Sequence, residues 1–153
     1  EASNAFISEA DWWWHHGDYT QAIRALEVVL FLDPAYVEGY GAVAWLQWST
    51  GRGASALRTL DRGIAANRSN PEAYFEKGHH LYRIKRYREA EETLGHSVRL
   101  GGCILVRRLY AHSLEKVGKL EECAAQWEEI IRIDPDDDAA MLNLERVRKI
   151  MGG

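Results

Sequence analysis

A small residue recurs along this chain at almost constant spacing: Ala22, Ala56, Ala90 and Cys123, in steps of 34, 34 and 33. The surrounding segments can be laid over one another, GDYTQAIRALEVVLFLDP from Gly17, GRGASALRTLDRGIAANR from Gly51, KRYREAEETLGHSVRLGG from Lys85 and GKLEECAAQWEEIIRIDP from Gly118. Four residues after each small residue stands a large one, Leu26, Leu60, Leu94 or Trp127. Apolar positions three and four apart mark an amphipathic helix. Upstream of each segment lies another helix-length stretch with its own small residue, Ala10, Ala44, Gly78 and Ala111. The chain therefore reads as two helices and a tight turn, written four times. A unit of this size buries its apolar face only by stacking on its neighbours.

A helix–turn–helix unit of 34 residues resembles the tetratricopeptide repeat, and the G-x-Y-x-x-A start of the second helix is clearest from Gly17 and Tyr19 to Ala22. The resemblance covers about residues 3 to 135. It implies an all-α fold, a right-handed α-solenoid of four repeats plus a C-terminal capping helix. The expected layout is a single domain over 1–153, with units at about 3–36, 37–70, 71–103 and 104–136 and the capping helix at about 137–151. Departures from the family pattern are modest. Phe6, Tyr40, Tyr74 and Arg107 stand where the family usually has a large residue. Arg68 replaces a usual proline with Pro71 slightly later, and Lys85 replaces a turn glycine.

Asp33-Pro34, Gly101-Gly102 and Asp134-Pro135 close three of the second helices. Asp136 to Asp138 then suit a new helix start, because carboxylates favour its positive end. Met141, Leu144, Val147 and Met151 form an apolar stripe there, as a helix covering the last repeat requires. No comparable cap precedes Phe6, so the amino-terminal face is expected to be less covered.

The run Trp12-Trp13-Trp14 poses a separate problem, since neighbouring helical residues point about 100° apart and cannot share one face. Trp13 falls on the face toward its own second helix and is expected in the core. Trp12 points to the open amino-terminal end, either as a cover for the first repeat or as a contact to another copy or segment. Trp14 falls on the inner, concave face that the resemblance assigns to the first helix of each repeat. Stepping by the period places Trp48 and Tyr82 in matching positions, and Trp45, His79 and His112 about one turn earlier. With Phe75, these residues make an aromatic track: Trp14, Trp45, Trp48, Phe75 and Tyr82. Such side chains serve as binding anchors, or simply pack on the next repeat. Asp11, Glu38, Glu72 and Glu76 lie toward the first three repeats, and Arg83, Arg108, Lys116 and Arg146 toward the last, so a ligand with a basic and an acidic portion would match.

Other chemistries have less support. One tetratricopeptide subfamily grips the carboxyl terminus of heat-shock chaperones with a clamp of Lys, Asn, Asn, Lys and Arg. Here those places carry Ile7, Asp11, Ala42, Glu72 and Glu76, or one repeat later Gly41, Trp45, Glu76, Leu105 and Leu109, so the chaperone tail is excluded as a partner. The net charge of −4 and the acidic first repeats oppose nucleic acid. The longest apolar run, Val28 to Leu32, is far too short to insert in a membrane. His15-His16 and His79-His80 leave a helix in different directions, and no set of three or four convergent zinc ligands is visible. A pocket around His79 and His112 is retained only as a third reading. No catalytic motif is present, so no enzyme activity, cofactor or metal is expected. Cys103 and Cys123 lie too far apart to pair, which leans toward a reducing, cytoplasmic compartment. The first residue is Glu1 rather than Met, which reads as a processed or excised piece. The expected function is a protein–protein interaction module binding a peptide or partner segment along the track. The alternative is self-association through Trp12.

Overall fold

The repeated pattern is expressed as helices throughout. The structure, a computed structural model, describes residues 2–153, with side chains from Ser3 onward, so Glu1 and the reading of a processed chain lie outside the described residues. Among the described residues there are nine α-helices and no strand. They are α1 (Ala2–His15), α2 (Tyr19–Leu32), α3 (Val37–Ser49), α4 (Gly53–Ala66), α5 (Pro71–Arg83), α6 (Tyr87–Arg99), α7 (Ile104–Lys116), α8 (Leu120–Ile133) and α9 (Asp138–Gly152). The chain forms two compact units, Glu1–Lys77 and Gly78–Gly153, and the boundary falls inside α5. In the first, α1 packs on α2, α2 on α3 and α3 on α4. In the second, α6 packs on α7, α7 on α8 and α8 on α9.

The four turns inside the repeats share one hydrogen-bonding pattern. Asp18, Arg52, Arg86 and Lys119 donate their amides to the carbonyls of Trp13, Gln47, Leu81 and Leu114, at 2.8–3.0 Å. This Schellman closure needs a left-handed residue just before the donor. Gly17, Gly51 and Gly118 supply it at φ of 76°, 80° and 81°, and Lys85 at 64°. The departure at Lys85 is thus a substitution within an unchanged turn. Pro71 opens α5, where a missing amide costs nothing.

In the first unit, Ala22, Leu26, Tyr40, Val43 and Leu46 form a buried cluster with Trp13 packed against it, as expected of that indole. The Tyr40 hydroxyl donates to the Pro34 carbonyl at 3.3 Å, and Tyr74 repeats this six-residue reach to Arg68 at 3.0 Å. Arg107, in the corresponding place of the second unit, donates instead to Gln126 at 2.9 Å. The two tyrosines therefore tie down the connection before their helix, whereas Arg107 ties α7 to α8. The core of the second unit includes Ala111, Leu114, Cys123, Trp127 and Ile130.

The start of α9 is as expected, with Asp137 capping it by accepting from the Ala140 amide at 3.0 Å. Its buried stripe needs correction. Ala140, Leu144 and Val147 face the core, whereas Met141 and Met151 are exposed. Leu144 and Val147 keep their expected places, but packing on α8 turns Ala140 rather than Met141 inward, and the flexible methionines lie along the outer edge of the stripe. Both cysteines are free, Cys123 buried and Cys103 exposed.

Replacing Lys85 with glycine should stabilise the protein by about 0.5–1 kcal/mol, because glycine meets a left-handed backbone without the clash of a Cβ. Urea unfolding of the variant beside Gly51→Ala, which should lose stability, would measure both directions.

Candidate functional site

Helix α3, VEGYGAVAWLQWS, places Glu38, Gly41, Trp45 and Trp48 at steps of three and four, hence along one face. The Trp14 ring of α1 lies flat against Trp45, with centroids 5.0 Å apart and planes 2° from parallel. Parallel stacking of this kind adds about 0.5–1.5 kcal/mol beyond the area it buries. Both indoles are half-buried and pack against the first unit's core cluster, so one edge of the stack is structural and the other meets solvent. Trp48, at 42% exposure, continues the face outward. Repeat stepping had matched Trp14 to Trp48 and set Trp45 a turn earlier. The ring that touches Trp14 is that earlier one.

At the other end of the face, Glu76 reaches from α5 onto Gly41. A Cβ on Gly41 would overlap the carboxylate and lie 2.6 Å from Glu76 Cδ. Burial, and then the nearby Glu38 and Glu72, raise the Glu76 carboxyl from an ordinary 4.5 to about 7. Glu38 and Glu72 occupy the first turns of α3 and α5, where the helix dipole favours a carboxylate. Among the described residues, no ion pair reaches any of these three acids. Lys77, the next residue along α5, is held by Asp61 of α4 at 2.6 Å. Phe75 is half-buried on α5. Asp11 lies on α1, 3.5 Å from His15 Nε2, with both side chains largely exposed.

Trp12 is 51% exposed. Its ring stacks on His16 at 3.9 Å and meets Trp13 edge-on at 4.6 Å. The two histidines after the tryptophan run thus do different things, one facing Asp11 and the other covering an indole.

In the second unit, Tyr82 packs edge-on against Tyr87 at 5.3 Å, and the Lys116 ammonium stands 5.9 Å from the Tyr87 ring centre. His79 and Arg83 lie on the same helix as Tyr82. His112 meets the buried Trp127 edge-on at 5.0 Å. Burial pushes the His112 imidazole below its ordinary range, which favours a neutral ring. Two of the anticipated groove cations are engaged within the fold. Arg108 donates to Asp137 at 2.5 Å, and Arg146 forks onto Glu115, with Nη2 2.7 Å from Oε2. The backbone bond from Ala140, together with Arg108, holds the Asp137 carboxyl below the usual range. Asp137 thus joins α7 to the start of α9. Among the described residues, no three His, Cys, Asp or Glu side chains converge as metal ligands, and no helix is long and apolar enough to cross a membrane.

Sequence reasoning singled out the three carboxylates and the aromatic residues but missed Gly41. Its signal was present, because glycine inside a helix costs about 1 kcal/mol relative to alanine and calls for a packing reason.

These features define an all-α helical-repeat protein of the solenoid class. Within that class, residues 14–74 match the family profile described as Tetratricopeptide repeat. No curated protein matches the chain. Among solved structures, MamA is similar at 21% identity and a TM-score of 0.76, covering 99% of this chain and 84% of its own. YrrB, described as a TPR protein with an unusual peptide-binding site, is similar at 18% identity and a TM-score of 0.70, covering 96% of this chain and 76% of its own. A tetratricopeptide repeat protein from Parabacteroides merdae is similar at 12% identity and a TM-score of 0.75, covering 97% of this chain and 60% of its own. These likenesses concern the fold.

Replacing Gly41 with alanine should cost about 1–3 kcal/mol, by overpacking against Glu76. Thermal unfolding of Gly41→Ala and of Gly41→Ala with Glu76→Ala would check it, since the second change should restore part of the loss.

Proposed function

We propose that the chain is a protein–protein interaction scaffold whose first compact unit holds a partner segment, extended or helical, on the α3 face. An apolar or aromatic side chain of the partner packs on the Trp14–Trp45 stack and Trp48, with Phe75 nearby. A basic side chain meets Glu38, Glu72 and Glu76. The carrying observation is that, among the described residues, no ion pair reaches these three carboxylates, and that Glu38 shares the α3 face with Trp45 and Trp48 while Glu76 of α5 closes onto Gly41 of that same face. Tetratricopeptide-repeat proteins are generally scaffolds rather than enzymes, which agrees with the scaffold reading. The peptide-binding site named for YrrB is a further reason to try a peptide. Tryptophan anchors supply large contact area with few rotatable bonds, while the charges set orientation and association rate.

A fluorescein-labelled peptide with arginine flanking Trp-Leu should bind, and its counterpart with glutamate for arginine should bind far less. Trp45→Ala should weaken binding by about 2 kcal/mol, roughly 30-fold, as expected for a central aromatic anchor. The double variant Glu38→Gln, Glu72→Gln should erase the preference for arginine while leaving the fold intact. Equal binding of both peptides to the native protein, measured by fluorescence anisotropy, would overturn the reading.

The exposure of Trp12 supports a second reading, self-association through the amino-terminal face. Sedimentation equilibrium from low to high micromolar should then show a mass that climbs in the native protein and falls back in Trp12→Ala. A constant monomer in both would remove that reading.

A further inference from the structure

We propose that Glu76 is a proton-operated latch: its neutral carboxyl closes on Gly41 and joins α5 to α3, while its carboxylate leaves Gly41 and turns the α3 face into a receptor for a cationic side chain. The receptor part rests on the peptide-binding reading above; the latch itself does not.

The geometry makes Glu76 the strained member of the three acids. Only a residue without a side chain admits it, because any Cβ at position 41 would overlap its carboxylate. A neutral carboxyl tolerates that seat. A carboxylate there is deprived of water and confronted by like charge from two helices, Glu38 of α3 and Glu72 of α5. The charged groups toward α4 give no relief, since the Lys77 ammonium is already bound to Asp61. Ionisation releases one proton and adds a third negative charge to the face. A guanidinium or ammonium placed among the three acids would offset that repulsion, favour the ionised form and drive proton release. Binding and deprotonation are then linked, each promoting the other. With the carboxyl titrating at about 7, the latch is poised to respond near neutral pH.

The sign follows from the direction of the shift. The folded state retains a proton that the unfolded chain gives up at an ordinary 4.5. This contribution to stability is complete below about 4.5, declines as pH rises, and is lost above about 7. Across that window the unfolding equilibrium constant should rise by up to about tenfold per pH unit. His80 and His112 are shifted downward by burial and act in the opposite direction. They are common to the native protein and Glu76→Gln, so the difference between the two isolates Glu76.

Urea unfolding of both proteins at pH 5, 6, 7 and 8.5 tests the latch without any ligand. Relative to Glu76→Gln, the native unfolding constant should increase by up to about 100-fold between pH 5 and 7. Parallel pH profiles would overturn the latch. Should Glu76→Gln fail to fold, Glu38→Gln must move the native window to lower pH, and an unmoved window counts against the proposal. The arginine peptide is then titrated at pH 5.5 and 8. Native binding should be at least about tenfold tighter at pH 8, with little change in Glu76→Gln. Equal native affinity at both values would overturn the gating. If the peptide binds at neither pH while the stability difference stands, the peptide-binding reading falls and the latch remains.

Discussion

Everything in this molecule depends on close contact between a small residue and a large one on packed helices. Ala22, Ala56, Ala90 and Cys123 are fully buried, and Leu60, Leu94 and Trp127 are at most 1% exposed. A small side chain lets two helices approach, and the large neighbours then fill the space alongside. Where glycine takes the small position, as at Gly78, Leu94 occupies the space so closely that a Cβ would lie 2.5 Å from its Cγ. Each buried leucine contributes about 1.5–3 kcal/mol of transfer free energy, and no helix pair could collect enough of it alone. Periodicity in the sequence and packing in the structure are the same constraint seen at two scales.

That constraint explains which features were legible in the sequence. Helices and turns followed from residues whose local chemistry has few outcomes. Gly17, Gly51 and Gly118 stand where the backbone becomes left-handed, and Asp18 and Asp137 stand where orphan amides need an acceptor. Lys85 shows that the turn is imposed by its context, since the same hydrogen bonds close around a residue that disfavours the conformation. The α9 stripe was less legible. Periodicity defines an apolar arc, but Ala140 and Met141 compete for its edge, and only the packing on α8 decides that alanine turns inward.

The candidate site was legible by residue type but not by pairing. Trp14, Trp45 and Trp48 could be placed on helix faces, yet which indole meets Trp14 depends on the stagger between α1 and α3, which repeat phase does not give. The cations were harder still. Arg108 and Arg146 were placed with the groove charges, and long side chains can reach in several directions from one helix position. Asp137 and Glu115 capture them, because a capped helix start and a forked carboxylate–guanidinium pair offer two hydrogen bonds where solvent offers a diffuse shell. Charge type is written in the sequence, but charge engagement is decided by folding.

Engagement is what distinguishes the three acids of the first unit. In the second unit, Glu91, Glu115 and Asp137 are each matched by Lys119, Arg146 or Arg108. Glu38 and Glu72 instead raise the electrostatic cost of charging Glu76, on a surface whose glycine already sacrifices helix propensity to admit it. A chain under selection for stability alone would readily lose such an arrangement, since Glu76→Gln removes the like charge and keeps the shape. Consistency between local preference and global packing is the rule in a folded sequence, and departures from it concentrate where function is exercised. The α3 face departs from the rule in two independent ways, by charge and by propensity, within a single helical turn.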